Sequence, residues 1–293
     1  MLLLIRPRSF AFNPQTAASN AYQMEEIPAE ASSKALDEFN RLTQVLTLHH
    51  IPHVVEEDTI LPPKPDAIFP NNWFSTHENG VIVLYPMEAE NRRLERRTDI
   101  IDRLKEYYGY SEIIDLTHYE KEGKYLEGTG SLVFDRQRKE AYICESSRSN
   151  VLLARELCAQ LGYELFAFDA VDRNGIPVYH TNVMMCVGKE FVAWAPEMIR
   201  DTHVREALSH HFDHAGKEQV ILTEDQVKAF AGNMLEVESE DGQNCLLLSS
   251  SARRSFTTEQ IFQLRKYTSL LPVPVPVIER VGGGSVRCMV AEI

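Results

Sequence analysis

The chain has 293 residues, of which 44% are hydrophobic and 25% charged, and carries a formal net charge of −13. This describes a soluble globular protein long enough to bury a full core. The negative balance disfavours nucleic acid and anionic membrane as partners and points to a small molecule. No apolar run approaches the roughly 20 residues of a membrane span. The five cysteines, Cys144, Cys158, Cys186, Cys245 and Cys288, are odd in number and never spaced Cys-x-x-Cys. That argues against disulfides and zinc and for a cytoplasmic location.

In chain order, Met1-Leu2-Leu3-Leu4-Ile5 is too short for a signal peptide and meets Arg6-Pro7-Arg8 at once, so it reads as a first strand. The segment Phe10 to Gln23, rich in Asn, Gln, Ser and Ala, reads equally as a surface loop or as a lid over a site. A repeat follows. Five times a polar or glycine-containing turn opens into an apolar strand: Phe69 to Phe74, Leu126 to Phe134, Tyr179 to Val187, Phe230 to Val237, and Gly282 to Ile293. With Asn72, Gly130, Asn182, Asn233 and Arg287 as equivalent points, the spacings are 58, 52, 51 and 54 residues, which points to five copies of one unit. The intervals hold amphipathic helical stretches over Glu90–Tyr108, Asn150–Leu161, Pro196–Ala215 and Thr257–Leu270. The second has Ser149 or Asn150 as its cap and Gly162 as its stop. A further strand, such as Tyr163–Phe168, follows each helix. The predicted unit is strand, strand, helix, strand. So many strands fit a radial arrangement better than one flat sheet.

Turns that converge on an axis would gather Asp66, Asn72, Glu127, His180, Asn182, Asn233 and Cys288. A thiol, an imidazole and a carboxylate at one point supply a nucleophile, a proton carrier and an orienting acid. Each alone has a plainer reading: an inert buried thiol, a structural histidine, a solvated turn carboxylate. Their recurrence at equivalent points of a repeat favours chemistry. A papain-like protease is disfavoured, since its cysteine precedes its histidine.

The motifs Asp66-x-x-Phe69-x-x-Asn72, Leu126-Glu127-Gly128-x-Gly130, His180-x-Asn182 and the terminal Gly-Gly-x-x-Arg287-Cys288-Met289 resemble the pentein superfamily of guanidine-modifying enzymes. Arginine deiminases, dimethylarginine dimethylaminohydrolases and arginine:glycine amidinotransferases are among its members. The resemblance implies a five-bladed α/β propeller forming one catalytic domain over residues 1–293. It implies Cys288 as nucleophile, His180 as general acid and base, Glu127 as catalytic carboxylate, and neither metal nor organic cofactor. Arg148 matches an arginine that binds a substrate α-carboxylate; Arg92, or Arg93 in its place, matches a second. Asp66, Asn72 and Asn182 complete the implied substrate set.

The chain also departs from the guanidine enzymes, which carry aspartate at the place of Asn72 and usually at that of Asn182. A guanidinium is a permanent cation with donors only, whereas an amide offers one donor and one acceptor edge, the complement of a neutral ureido group. The expected reaction is therefore hydrolysis of citrulline to ornithine, ammonia and carbon dioxide, in line with a similarity to bacterial citrulline-utilisation hydrolases. A dimethylarginine or arginine hydrolase, or an amidinotransferase, is the alternative; a non-catalytic binding module on the same fold is a weaker one. A homo-oligomer is compatible with the sequence.

Overall fold

In the computed structural model, which describes residues 1–20, 22–23 and 30–293, the apolar strand that follows each predicted turn becomes an edge strand of a separate three-stranded sheet. Residue 21 of the expected lid segment lies outside the described residues. In chain order the strands are β1 (Leu2–Arg6), β2 (His53–Glu57), β3 (Phe74–His77), β4 (Val81–Leu84) and β5 (Glu112–Asp115). There follow β6 (Val133–Asp135), β7 (Glu140–Cys144), β8 (Glu164–Phe168), β9 (Met185–Val187) and β10 (Phe191–Trp194). The last are β11 (Glu218–Ile221), β12 (Leu235–Glu238), β13 (Asn244–Ser249), β14 (Ser269–Val273) and β15 (Ala291–Glu292).

Four sheets take consecutive strands: β3-β4-β5, β6-β7-β8, β9-β10-β11 and β12-β13-β14. In each, the first strand pairs antiparallel with the middle one and the third pairs parallel after a helical crossover. This is the predicted unit. The fifth sheet has the same pattern, but its antiparallel strand comes from the far end of the chain, where β15 pairs with β1 and β1 with β2. Pairing Leu3 with Ala291 holds the segment carrying Cys288 against the start of the chain. The middle strands β4, β7, β10 and β13 are buried nearly throughout, as expected of strands flanked on both edges and covered on their faces.

The strand pairing shows five separate sheets and no closed one, so the expected propeller is seen only as a set of small mixed sheets. The sheets meet strand to strand, β6 against β9, β9 against β12 and β15 against β3, and also through their turns. A Cβ on Gly130 of the second turn would lie 2.5 Å from Asn72 Nδ2 of the first and 2.7 Å from His180 Nδ1 of the third. Asn233 of the fourth turn donates to the Asn182 carbonyl of the third at 3.1 Å and accepts from the Arg287 N–H of the fifth at 3.1 Å. Phe69 of the first turn packs where a Cβ on Gly284 of the fifth would meet it at 3.0 Å.

The helices differ from expectation at their ends. Val151–Leu161 has the predicted caps, Asn150 accepting from the Leu153 N–H and Gly162 at φ 74°. Glu90–Tyr108 is broken into a 3-10 turn, Glu90–Glu95, and a helix, Thr98–Tyr108, with extended backbone at Arg96 and Arg97. The break turns Arg92 and Glu95 inward, while Arg97 pairs outside with Asp99 at 3.0 Å. Pro196–Ala215 likewise splits at Ile199, and Asp201 caps a new helix, Thr202–His214. Thr257 and Gln260 form a capping box for Thr258–Arg265, and Leu270 belongs to β14 instead. The longest helix, Ala31–Leu48, was not foreseen; Ala35, Phe39, Leu42 and Leu46 form its buried stripe.

Candidate active site

Each turn delivers a polar side chain to one buried region. Asp66, Asn72, Arg92, Arg148, His180 and Cys288 line a single pocket with Thr16, Asn20, Phe69 and the Gly282–Gly284 backbone. Glu127 is fully buried beside it, and Asn182 reaches the sulfur, Nδ2 to Cys288 Sγ being 3.6 Å. All eight residues singled out from the sequence are therefore brought together. Asn72, Glu127, His180, Asn182 and Cys288 lie in four of the equivalent turns, Asp66 just precedes the first, and Arg92 and Arg148 come from the loops after β4 and β7.

His180 Nε2 lies 3.0 Å from Glu127 Oε2, near enough for an ion pair but not aligned as a hydrogen bond. Burial acts to raise the Glu127 pKa, but Arg148 at 3.7 Å, the His180 ring and Arg92 at 4.0 Å outweigh it and hold the carboxyl at about 2. The Glu88 N–H donates to its other oxygen at 3.0 Å. Burial lowers the His180 pKa against the opposing pull of Glu127, so the imidazole is neutral at neutral pH. A charged carboxylate beside a neutral imidazole can orient the ring and stabilise the cation formed when it takes a proton.

Arg92 spends four of its five N–H donors on the protein. It donates to Glu95 at 2.9 and 2.8 Å, to Asn72 Oδ1 at 2.8 Å and to the Phe69 carbonyl at 3.2 Å. Arg148 instead binds the N-terminal segment, donating to Ser19 Oγ at 2.9 Å and to the Thr16 carbonyl at 2.6 Å. Arg93 turns away to the Met87 carbonyl at 3.0 Å. Asp66 accepts from Asn13 Nδ2 at 2.7 Å, while its Oδ1 is buried without a partner, and burial raises its pKa.

The segment expected as loop or lid covers this pocket. Besides Thr16 and Ser19 on Arg148, Asn20 donates to the Gly283 carbonyl at 3.2 Å and Gln23 to that of Gly282 at 3.0 Å. The cavity measures about 20 Å³, room for about one water. Cavities of about 340 and 420 Å³ lie elsewhere, lined by neither His180 nor Cys288, so size does not locate the thiol here.

Two further residues belong to the site. Asn233, expected at the axis from its place in the repeat but given no role, has Nδ2 3.2 Å from Cys288 Sγ. Glu95 clamps Arg92, and the i,i+3 spacing of opposite charges was the corresponding signal. The contacts from Thr16 and Ser19 left no mark in the sequence pattern. All five cysteines are free, and burial pushes Cys144, Cys158 and Cys186 up to about 12. Among the described residues no His, Cys, Asp or Glu cluster is arranged to hold a metal ion, and no helix is long and apolar enough to cross a membrane.

Small mixed sheets whose turns meet around a buried thiol define a pentein-type protein, the class the motifs resembled. The chain belongs to the family described as N,N dimethylarginine dimethylhydrolase, eukaryotic, whose model it matches over residues 6–293. Among solved structures it is similar to apo ArgZ, an arginine dihydrolase from the ornithine–ammonia cycle in cyanobacteria, with a TM-score of 0.77 and 15% identity. That match covers 99% of this chain but only 40% of that one. A substrate-bound mutant of the N-terminal domain of ArgZ gives a TM-score of 0.76 at 15% identity, covering 99% of this chain and 96% of that domain. A dimethylarginine dimethylaminohydrolase variant in an adduct with S-methyl-L-thiocitrulline gives 0.66 at 15%, covering 100% and 98%. At such identities the likeness is one of fold. A comparison with curated proteins finds no significant match.

Proposed function

We propose that the protein hydrolyses the terminal C–N bond of an arginine-type guanidino amino acid, with its five sheets standing as blades around the pocket and Cys288 as nucleophile. The reading rests on one observation. Asp66 Oδ1 and Asn182 Oδ1 are buried at the site without a hydrogen-bond donor, next to the Glu127 carboxylate that faces His180. A guanidinium brings only donors and a positive charge, so it satisfies unpaired acceptors, whereas the carbonyl of a ureido group would oppose them. The family match and the activities for which ArgZ and dimethylarginine dimethylaminohydrolase are named favour the same class.

In this reading His180 takes the thiol proton as Sγ bonds to the guanidino carbon, and passes it to the nitrogen that leaves as amine. Water then adds to the carbon, His180 accepts its proton, and cleavage of the C–S bond returns that proton to sulfur. Glu127 steadies the imidazolium in both halves. Arg148 anchors the α-carboxylate once Thr16 and Ser19 release it. Arg92, with four of its five N–H groups bound to the protein, chiefly holds Asn72 and keeps one donor for a second contact to the substrate.

Citrulline stands as the second reading, favoured by the neutral side chains at Asn72 and Asn182. Incubation with arginine, dimethylarginine and citrulline in turn, measuring released amine, citrulline and ornithine, separates the two. Turnover of a guanidino substrate is the expected result; turnover of citrulline alone would replace the first reading by the second.

A further inference from the structure

Asn233 stands in the fourth turn, the one turn of the five whose residues were given no expected role. Its turn is tightly determined: Phe230 adopts a left-handed φ of 62°, and the Asn233 N–H donates to the Phe230 carbonyl at 2.9 Å. A Cβ on Gly232 would lie 2.7 Å from the Met184 backbone, so this turn is seated directly on its neighbour. The amide orientation is not free. A backbone N–H can only donate, so the Arg287 N–H at 3.1 Å requires oxygen at Oδ1 and places Nδ2 toward the sulfur. Nδ2 has two hydrogens and two acceptors, the Asn182 carbonyl at 3.1 Å and Cys288 Sγ at 3.2 Å. A donor facing sulfur is matched by a thiolate. The reverse contact, the thiol donating to Asn233 Oδ1, is 3.7 Å and competes with the Arg287 N–H.

We infer that Asn233 is a catalytic residue, donating its amide N–H to Cys288 Sγ and stabilising the sulfur as the attacking thiolate. The inference rests on Cys288 being the nucleophile. A hydrogen bond to an ionised group favours that form roughly tenfold to a hundredfold over the unassisted one. The thiolate that precedes attack and the thiolate released when the C–S bond breaks both carry negative charge on sulfur, so the same donor serves both half-reactions.

The test needs no substrate: the rate of Cys288 alkylation by iodoacetamide is followed across pH by mass spectrometry, with Cys288→Ser as background. Asn233→Asp keeps the shape but sets a carboxylate against the sulfur, and Asn233→Ala removes the donor. In both, the pH midpoint of alkylation should move upward and the rate at pH 7 fall at least about tenfold. Thermal melting of the same variants reports loss of the brace on Arg287, which by itself would leave the midpoint in place. Midpoints that coincide with wild type in both variants overturn the role of Asn233. If wild-type protein is not alkylated selectively at Cys288, the nucleophile and this inference fall together.

Discussion

Arg92 donates to Asn72 Oδ1 at 2.8 Å, and this contact decides which edge of Asn72 is left for a ligand. One lone pair of Oδ1 is engaged by a cation, and Nδ2 remains as the donor edge, 3.4 Å from the Glu127 carbonyl. An aspartate at this position would pair with Arg92 first. Asn72→Asp should therefore change the ratio of kcat/KM for guanidino and ureido substrates by less than about threefold. Asn182→Asp has no such cation beside it, and should shift the ratio toward guanidino substrates by about tenfold or more. Equal shifts in the two variants would show that Arg92 does not neutralise the first position.

Cys288→Ser should keep the fold and lose nearly all turnover. Serine or alanine at Cys144, Cys158, Cys186 or Cys245 should leave activity within a few-fold, because those thiols lie outside the pocket and burial opposes their ionisation. Steady-state assay with circular dichroism on each variant checks this.

Gly130 has ordinary backbone angles, so alanine there costs no backbone strain, but its Cβ would meet Asn72 Nδ2 at 2.5 Å and the His180 ring at 2.7 Å. Gly130→Ala should fold and lose kcat by about a hundredfold as the imidazole is pushed off its position. Near-normal kcat would mean that the ring tolerates displacement.

Arg148→Ala should lower kcat/KM by roughly a hundredfold for an amino-acid substrate and far less for its decarboxylated analogue, since a buried charge-assisted pair is lost only in the first case. Equal losses on both compounds would reassign Arg148 to holding Glu127 and the segment from Thr16 to Ser19.

Acid stability should depend on His77, whose pKa is lowered to about 3, first by burial and then by Arg136. The unfolded chain binds a proton at about 6.5 that the folded one refuses, so stability falls as pH drops from about 6.5 toward 3, by up to ~1.4 kcal/mol per pH unit. Glu127, depressed to about 2, adds a loss below its unfolded value near 4.5. Denaturant melts at pH 7, 5 and 4 should show a shallower slope for His77→Gln than for wild type.

By itself the sequence determined the repeat, the strand of each turn, the caps at Asn150 and Gly162, and the gathering of Cys288, His180 and Glu127. These are legible because they depend on local pattern: apolar alternation, capping chemistry, and a spacing that places equivalent residues at equivalent turns. The substrate expectation built on Asn72 and Asn182 went further than pattern allows. An amide's meaning depends on which edge is taken, and for Asn72 that is settled by Arg92, 20 positions away. The tertiary structure also decided the breaks at Arg96 and Ile199, where packing of Arg92, Glu95 and Ile199 overrode a continuous helical period. It alone set Thr16 and Ser19 on Arg148 across more than 120 residues, and turned the Asn233 amide toward the sulfur. Hydrogen-bond partners of this kind are chosen by proximity in the fold and leave no periodicity in the chain.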